Sequence, residues 1–351
     1  MRRPARTCQS AAESRRPGRL ASVGRGAHTR RVTSRLSVDR IARAASAIDP
    51  VFAGTPQFVS DALSTRLGAR VLCKVETVNP IRSFKGRGTD FFCASLPRGA
   101  HVVCASAGNF GQGMAYAARR RDVAVTVFAA ERASPLKVER MRALGATVHL
   151  GGADLDEAKA RARAWAAARG LPFVEDGREV AISEGAGTIG VELAAWPEPI
   201  ATLFVPVGNG ALLAGVATWM RAHSPHTRIV AVSAAGAPAM ALSWRAARVT
   251  CTDDVHTIAD GIAVRVPIPE AVADLQPLVD DFVLVPDDAI RRAMRWLYED
   301  LGLLVEPAGA VGIAAIAEWT DRSPDLLVAT PLCGGNLTDE QVRTWIWEAT
   351  A

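Results

Sequence analysis

From about residue 38 onward, short apolar runs alternate with Gly-rich turns and Ala-rich stretches of helical spacing. Runs that read as buried strands are Arg70–Val75, His101–Cys104, Val123–Phe128, Thr147–Leu150, Leu203–Val207, Arg228–Val232, Asp281–Val285 and Leu326–Ala329. Asp154–Ala168, Leu212–Ala222 and Asp287–Leu301 carry the helical period between them. Asp287 and Asp288 after Pro286 mark a helix start, where acidic side chains suit the positive end of the dipole. Such alternation predicts an α/β fold with mostly parallel sheets flanked by helices. No internal repeat of solenoid length interrupts it, and no appended regulatory domain is expected.

Charge is unevenly placed. Residues 1–43 hold twelve arginines against Glu13 and Asp39, and the remainder has 29 basic and 34 acidic side chains. The body is mildly acidic, which argues against nucleic-acid partners. The Arg-rich stretch 1–37 reads first as a disordered arm or an upstream-start artefact. An organelle presequence or a nucleic-acid-binding arm stays open, though no aromatic residues interleave the arginines. No apolar run approaches the roughly 18 residues that cross a membrane. The six cysteines form no C-x-x-C pair and the six histidines show no ligand spacing, so no metal site is expected. Cys73, Cys93 and Cys104 sit in or beside apolar runs, and we expect a reducing, cytoplasmic setting.

Two strand-to-helix junctions are Gly-rich: SAGNFGQG (106–113) and PVGNGALLAG (206–215). Inward-turned N–H groups at a helix start make each a candidate anion cradle, and each is also explained by the turn alone. A dinucleotide site fits poorly. Neither junction has the G-x-G-x-x-G spacing, and the strand after the second runs into Ser233 rather than an acidic residue. Lysine is scarce, with only Lys74, Lys85, Lys137 and Lys159 among 41 basic side chains. Arginine replaces lysine on a solvated surface but forms no imine, so each lysine invites a chemical account. Lys137 and Lys159 read as surface residues, and Lys74 as a strand residue that can pair with Glu76. Lys85 lies in NPIRSFKGRG, a turn that is either a basic surface loop or a reactive site.

The segment SFKGRG (83–88) resembles the cofactor-lysine motif of the threonine/serine dehydratases, within the tryptophan-synthase-β-like, fold-type II group of pyridoxal-phosphate (PLP) enzymes. GTPQF (54–58), SAGNFGQG, GTIGVEL (187–193), PVGNGALLAG, TIADGIAV (257–264), EPAGA (306–310) and CGGN (333–336) follow in the family's order. The resemblance covers about residues 45–340. It implies a two-domain fold: a large PLP-binding domain of residues 38–90 and 176–351, with a small α/β domain, 91–175, inserted. A homodimer and a small amino-acid substrate are implied as well.

The resemblance also implies roles. Lys85 would hold PLP as a Schiff base and then act as base at the substrate Cα. Phe84 would lie under the ring, and Asn109 would bond the ring hydroxyl. Gly208, Asn209, Gly210, Ala211 and Leu212 would bind the phosphate. Cys333 would face the pyridine nitrogen. Ser106, Ala107, Gly108, Asn109 and Phe110 would receive the substrate carboxylate. Core packing is the alternative for Phe84 and Cys333. A neutral thiol at the ring nitrogen favours expulsion of a β-substituent over transamination. The expected reaction is loss of water from serine or threonine to a 2-oxo acid and ammonia. The cofactor phosphate would be the proton donor, with no extra protein acid needed.

Several positions depart from the family. Phe110 replaces a usual histidine, and Ala107 stands where related racemases carry serine. Asn209 and Ala211 replace glycines, so Ala211 must keep φ negative. Ser233 replaces an acidic cation ligand. Glu184 replaces a small residue and is expected to be solvated or to touch substrate. A β- or γ-replacement enzyme, or a PLP-binding protein without turnover, stays open.

Overall fold

Residues 34–348, other than Ala107, are described by a computed structural model. The expected disorder of residues 1–33 falls outside the described part. Residues 35–37 of the same stretch are packed. Arg35 pairs with Asp274 at 2.6 Å and donates to the Arg178 carbonyl. Leu36 is buried, and Ser37 caps the helix Val38–Ala47 by accepting from the Arg40 N–H.

Among the described residues, ten strands form two sheets. The large sheet runs β1 (Gln57–Val59), β2 (Arg70–Val75), β10 (Leu327–Leu332), β7 (Thr202–Pro206), β8 (Arg228–Ala234) and β9 (Asp281–Val285). Only the edge strand β1 is antiparallel. The small sheet, all parallel, runs β5 (Thr147–Leu150), β4 (Ala124–Ala129), β3 (His101–Ala105) and β6 (Phe173–Val174). Helices cover both faces, as parallel sheets require, and the central strands β7 and β10 are buried throughout. The apolar runs therefore show little alternation. No helix among the described residues is long and apolar enough to cross a membrane.

β10, last in the chain, is inserted between β2 and β7. That placement brings the turn after β10 beside the turn after β2: Ser83 bridges Gly334, and the Phe84 N–H donates to the Cys333 carbonyl at 3.1 Å. These turns lie at the carboxyl ends of parallel strands, where open α/β sheets bind ligands.

Behind them sits a buried ionic cluster. Arg87, with no exposed side-chain surface, donates to both oxygens of Glu76 and both of Glu192, and to Thr55 and Thr188. Burial pulls its guanidinium down, but the two carboxylates outweigh that and hold it above its ordinary range. Lys74 pairs with Glu192 and donates to the Thr55 carbonyl, so the expected Lys74–Glu76 pair gives way to Arg87. Arg87→Met leaves Glu76 buried without its cation and Glu192 with Lys74 alone. It should cost about 3–5 kcal/mol of unfolding free energy, read as a shift of the denaturant midpoint at unchanged slope.

Candidate active site

Lys85 opens the helix Lys85–Ala94. The turn before it is organised by Asn79, whose Oδ1 accepts from the Ile81 and Ser83 N–H groups while its Nδ2 donates to the Glu76 and Ser83 carbonyls. The Lys85 side chain is largely buried, with Nζ 2.7 Å from Asp176 Oδ2 and 4.6 Å from the centre of the Phe84 ring.

Three further segments close on this amine. After β3, Ser106 Oγ accepts from the N–H groups of Gly108 (3.1 Å) and Gly111 (2.9 Å), bending the chain into the helix Asn109–Arg119. Ala107 lies outside the described residues. Asn109 is held at both ends: Nδ2 donates to Glu306 Oε1 at 2.6 Å, and Oδ1 accepts from Asn336 Nδ2 at 2.8 Å. Phe110 lines the cleft and packs with Met114 and Val127. After β7, residues 208–210 lead into the helix Ala211–His223. Gly210, at φ 92°, takes the left-handed turn, so neither Asn209 nor Ala211 needs a positive φ. After β10, Cys333 is buried with Sγ 3.7 Å from the Ala308 carbonyl. Burial pushes its thiol strongly up, and the Glu306 charge adds to this. The group at that position is therefore neutral.

The cleft thus gathers Phe84, Lys85, Ser106, Gly108, Asn109 and Phe110 with the 208–212 loop and Cys333. Lys137 and Lys159, expected at the surface, are both buried, and Lys137 lines the cleft with Nζ 2.7 Å from Asp260 Oδ2. Burial pulls its ammonium down, but Glu306 and Asp260 outweigh this and hold it up. Lys159 sits 3.7 Å from Asp156 and 3.8 Å from Glu175. Glu184 is neither solvated nor in the cleft. It is fully buried, accepting from Arg40 Nε at 2.7 Å and the Ser37 N–H at 3.1 Å. Asp176 and Asp260 are cleft residues that the motifs did not single out. Asp260 sits within TIADGIAV, but nothing in the sequence points to Asp176.

The donor set suits a phosphorylated aldehyde. A lysine amine stands beside an aromatic face, and a neutral thiol lies at the end of the neighbouring strand. A left-handed glycine turns the chain into a helix start whose first N–H groups lack intrahelical partners. The family model for pyridoxal-phosphate dependent enzymes matches residues 48–334. The chain belongs to this PLP-dependent family. PLP is its cofactor.

Within that family, the chain is 39% identical to the L-threonine ammonia-lyase of Geobacter sulfurreducens over 279 residues, 78% of this chain and 69% of that one. It is 33% identical to the chloroplastic biosynthetic threonine dehydratase of Arabidopsis thaliana, covering 82% of this chain and half the length of that relative. The crystal structure of a threonine deaminase from T.th. superposes with a TM-score of 0.81 at 32% identity, covering 86% of this chain and 99% of that one. In this PLP-dependent enzyme Cys73 and Cys93 are also buried, their thiols pushed up to about 12 by burial. Iodoacetamide at neutral pH should leave Cys73, Cys93, Cys104 and Cys333 unmodified until the protein is unfolded, as read by peptide mass mapping. Labelling of native Cys333 would contradict the neutral-thiol assignment.

Proposed function

We propose that the protein is an ammonia-lyase that removes water from L-threonine, L-serine or a related hydroxy amino acid, releasing a 2-oxo acid and ammonia. One observation carries this: the Lys85 amine shares its cleft with the buried thiol of Cys333, which stands where the turn after β10 meets the lysine turn. When bound, PLP supplies electron withdrawal at the substrate Cα. Lys85 would be the point of covalent attachment, and its amine would take the Cα proton. The Phe84 ring gives the cofactor a flat apolar face. Asn109, fixed by Glu306 and Asn336, is oriented for the ring hydroxyl. Backbone N–H groups of Gly208–Leu212 would hold the phosphate at a helix start, where the dipole favours an anion. The Ser106–Phe110 turn takes the substrate carboxylate, and burial of Phe110 makes that side of the pocket apolar.

The thiol of Cys333 would face the ring nitrogen of the bound cofactor without supplying a charge, which would favour expulsion of a β-substituent. The same reading takes residues 91–175 as a small unit set into a larger one, and expects a cytoplasmic homodimer. A coupled assay for 2-oxo acid and ammonia over a panel of amino acids should give product with threonine or serine. Lys85→Ala should abolish both the turnover and the visible absorbance of the loaded protein. Replacement products without oxo acid, or colour that survives the substitution, would overturn the reading.

A further inference from the structure

Four carboxylates line the cleft, and three of them have no buried oxygen left without a partner. Glu175 is met by Arg163 at 2.5 Å and Lys159 at 3.8 Å. Asp260, half-exposed, holds Lys137. Glu306 accepts from Asn109 on one oxygen and the Asn336 N–H on the other. Asp176 differs. Its Oδ2 contacts the Lys85 amine at 2.7 Å, and its buried Oδ1 has no hydrogen-bond partner among the described residues. The residue is 9% exposed and lines the same cleft. A buried carboxylate oxygen without a donor is costly, so its retention beside the reacting nitrogen calls for a chemical account.

We infer that Asp176 is a second acid–base group of the elimination, passing the proton collected by Lys85 to the departing β-substituent. The inference rests on the dehydratase reading above. Loss of water needs one proton removed from Cα and one delivered to the leaving oxygen. The Cα–H bond breaks and its proton goes to Lys85 Nζ. The ammonium so formed passes a proton across the 2.7 Å contact to Asp176. Asp176 gives it to the oxygen on Cβ as the Cβ–O bond breaks with both electrons on oxygen, and water departs. Both side chains end in their starting forms. The family resemblance assigns the donor's work to the cofactor phosphate; the geometry gives the protein an acid of its own. The substrate class follows: β-substituents that must be protonated to leave, a hydroxyl first among them.

The test compares L-serine with β-chloro-L-alanine, whose chloride leaves without a proton. Asp176→Asn should lower kcat/KM for serine by about 100-fold or more, while β-chloroalanine turnover changes by no more than about threefold. Asp176→Glu should restore part of the serine activity. In D2O, NMR should show the Asn variant still exchanging the serine Cα proton while no longer expelling water. Its visible absorbance on loading should match that of the parent protein. Equal loss on both substrates, undiminished serine turnover, or failure to take up the cofactor would each overturn the relay. A parent protein that eliminates from neither substrate would instead overturn the dehydratase reading, and the relay with it.

Discussion

The hydrogen bonds between the Ser83–Phe84 turn and the Cys333–Gly334 turn hold the candidate site together. They join segments 250 residues apart in sequence, and they exist because β10 returns to the middle of the large sheet, between β2 and β7. From that juncture the geometry follows. The lysine loop after β2 and the thiol after β10 meet at one end of the sheet. The loop after β7 meets them there, and the small sheet supplies Asn109 and Asp176 from its own strand ends. Each side chain stands at a carboxyl end of a parallel strand, where helix starts present unpaired N–H groups.

The polar interior behind the site serves that arrangement. Arg87, Glu76, Glu192 and Lys74 tie the lysine-bearing helix to β2 and to the helix Thr188–Ala194 through fully or largely buried contacts. On the cleft side, Glu306 is pushed up first by burial, with Lys137 the largest charge opposing it. It takes hydrogen bonds from Asn109 and Asn336, so the amide that is proposed to orient the ring is itself held in place. This network links elements of both sheets around one cleft.

Much of the fold was legible because parallel strands buried on both faces leave continuous apolar runs. Arg70–Val75, Thr147–Leu150 and Asp281–Val285 have the bounds expected from sequence, as does the helix Asp287–Leu301. β1 and β6 were missed because three- and two-residue strands carry no period and are set by their neighbours. At the site, glycine-rich turns and collinear motifs pointed to the cleft residues. They were silent on Asp176, and the expected surface position of Lys137 and the expected solvated or substrate-facing Glu184 both gave way to burial. The polarity of a helix stretch does not tell whether a long cation is folded inward against a distant carboxylate. Nor does a segment such as SEGAGTIG reveal that the N-terminal turn around Ser37 and Arg40 will cover it.

The central claim is that Lys85, among four lysines of which three line one cleft, carries the cofactor. Borohydride reduction of the PLP-loaded protein fixes the cofactor wherever it is bonded, and peptide mass mapping then finds it. The account predicts that the label sits on the peptide containing Lys85 and nowhere else. Label on Lys137, Lys159 or Lys74, or none at all, would contradict it.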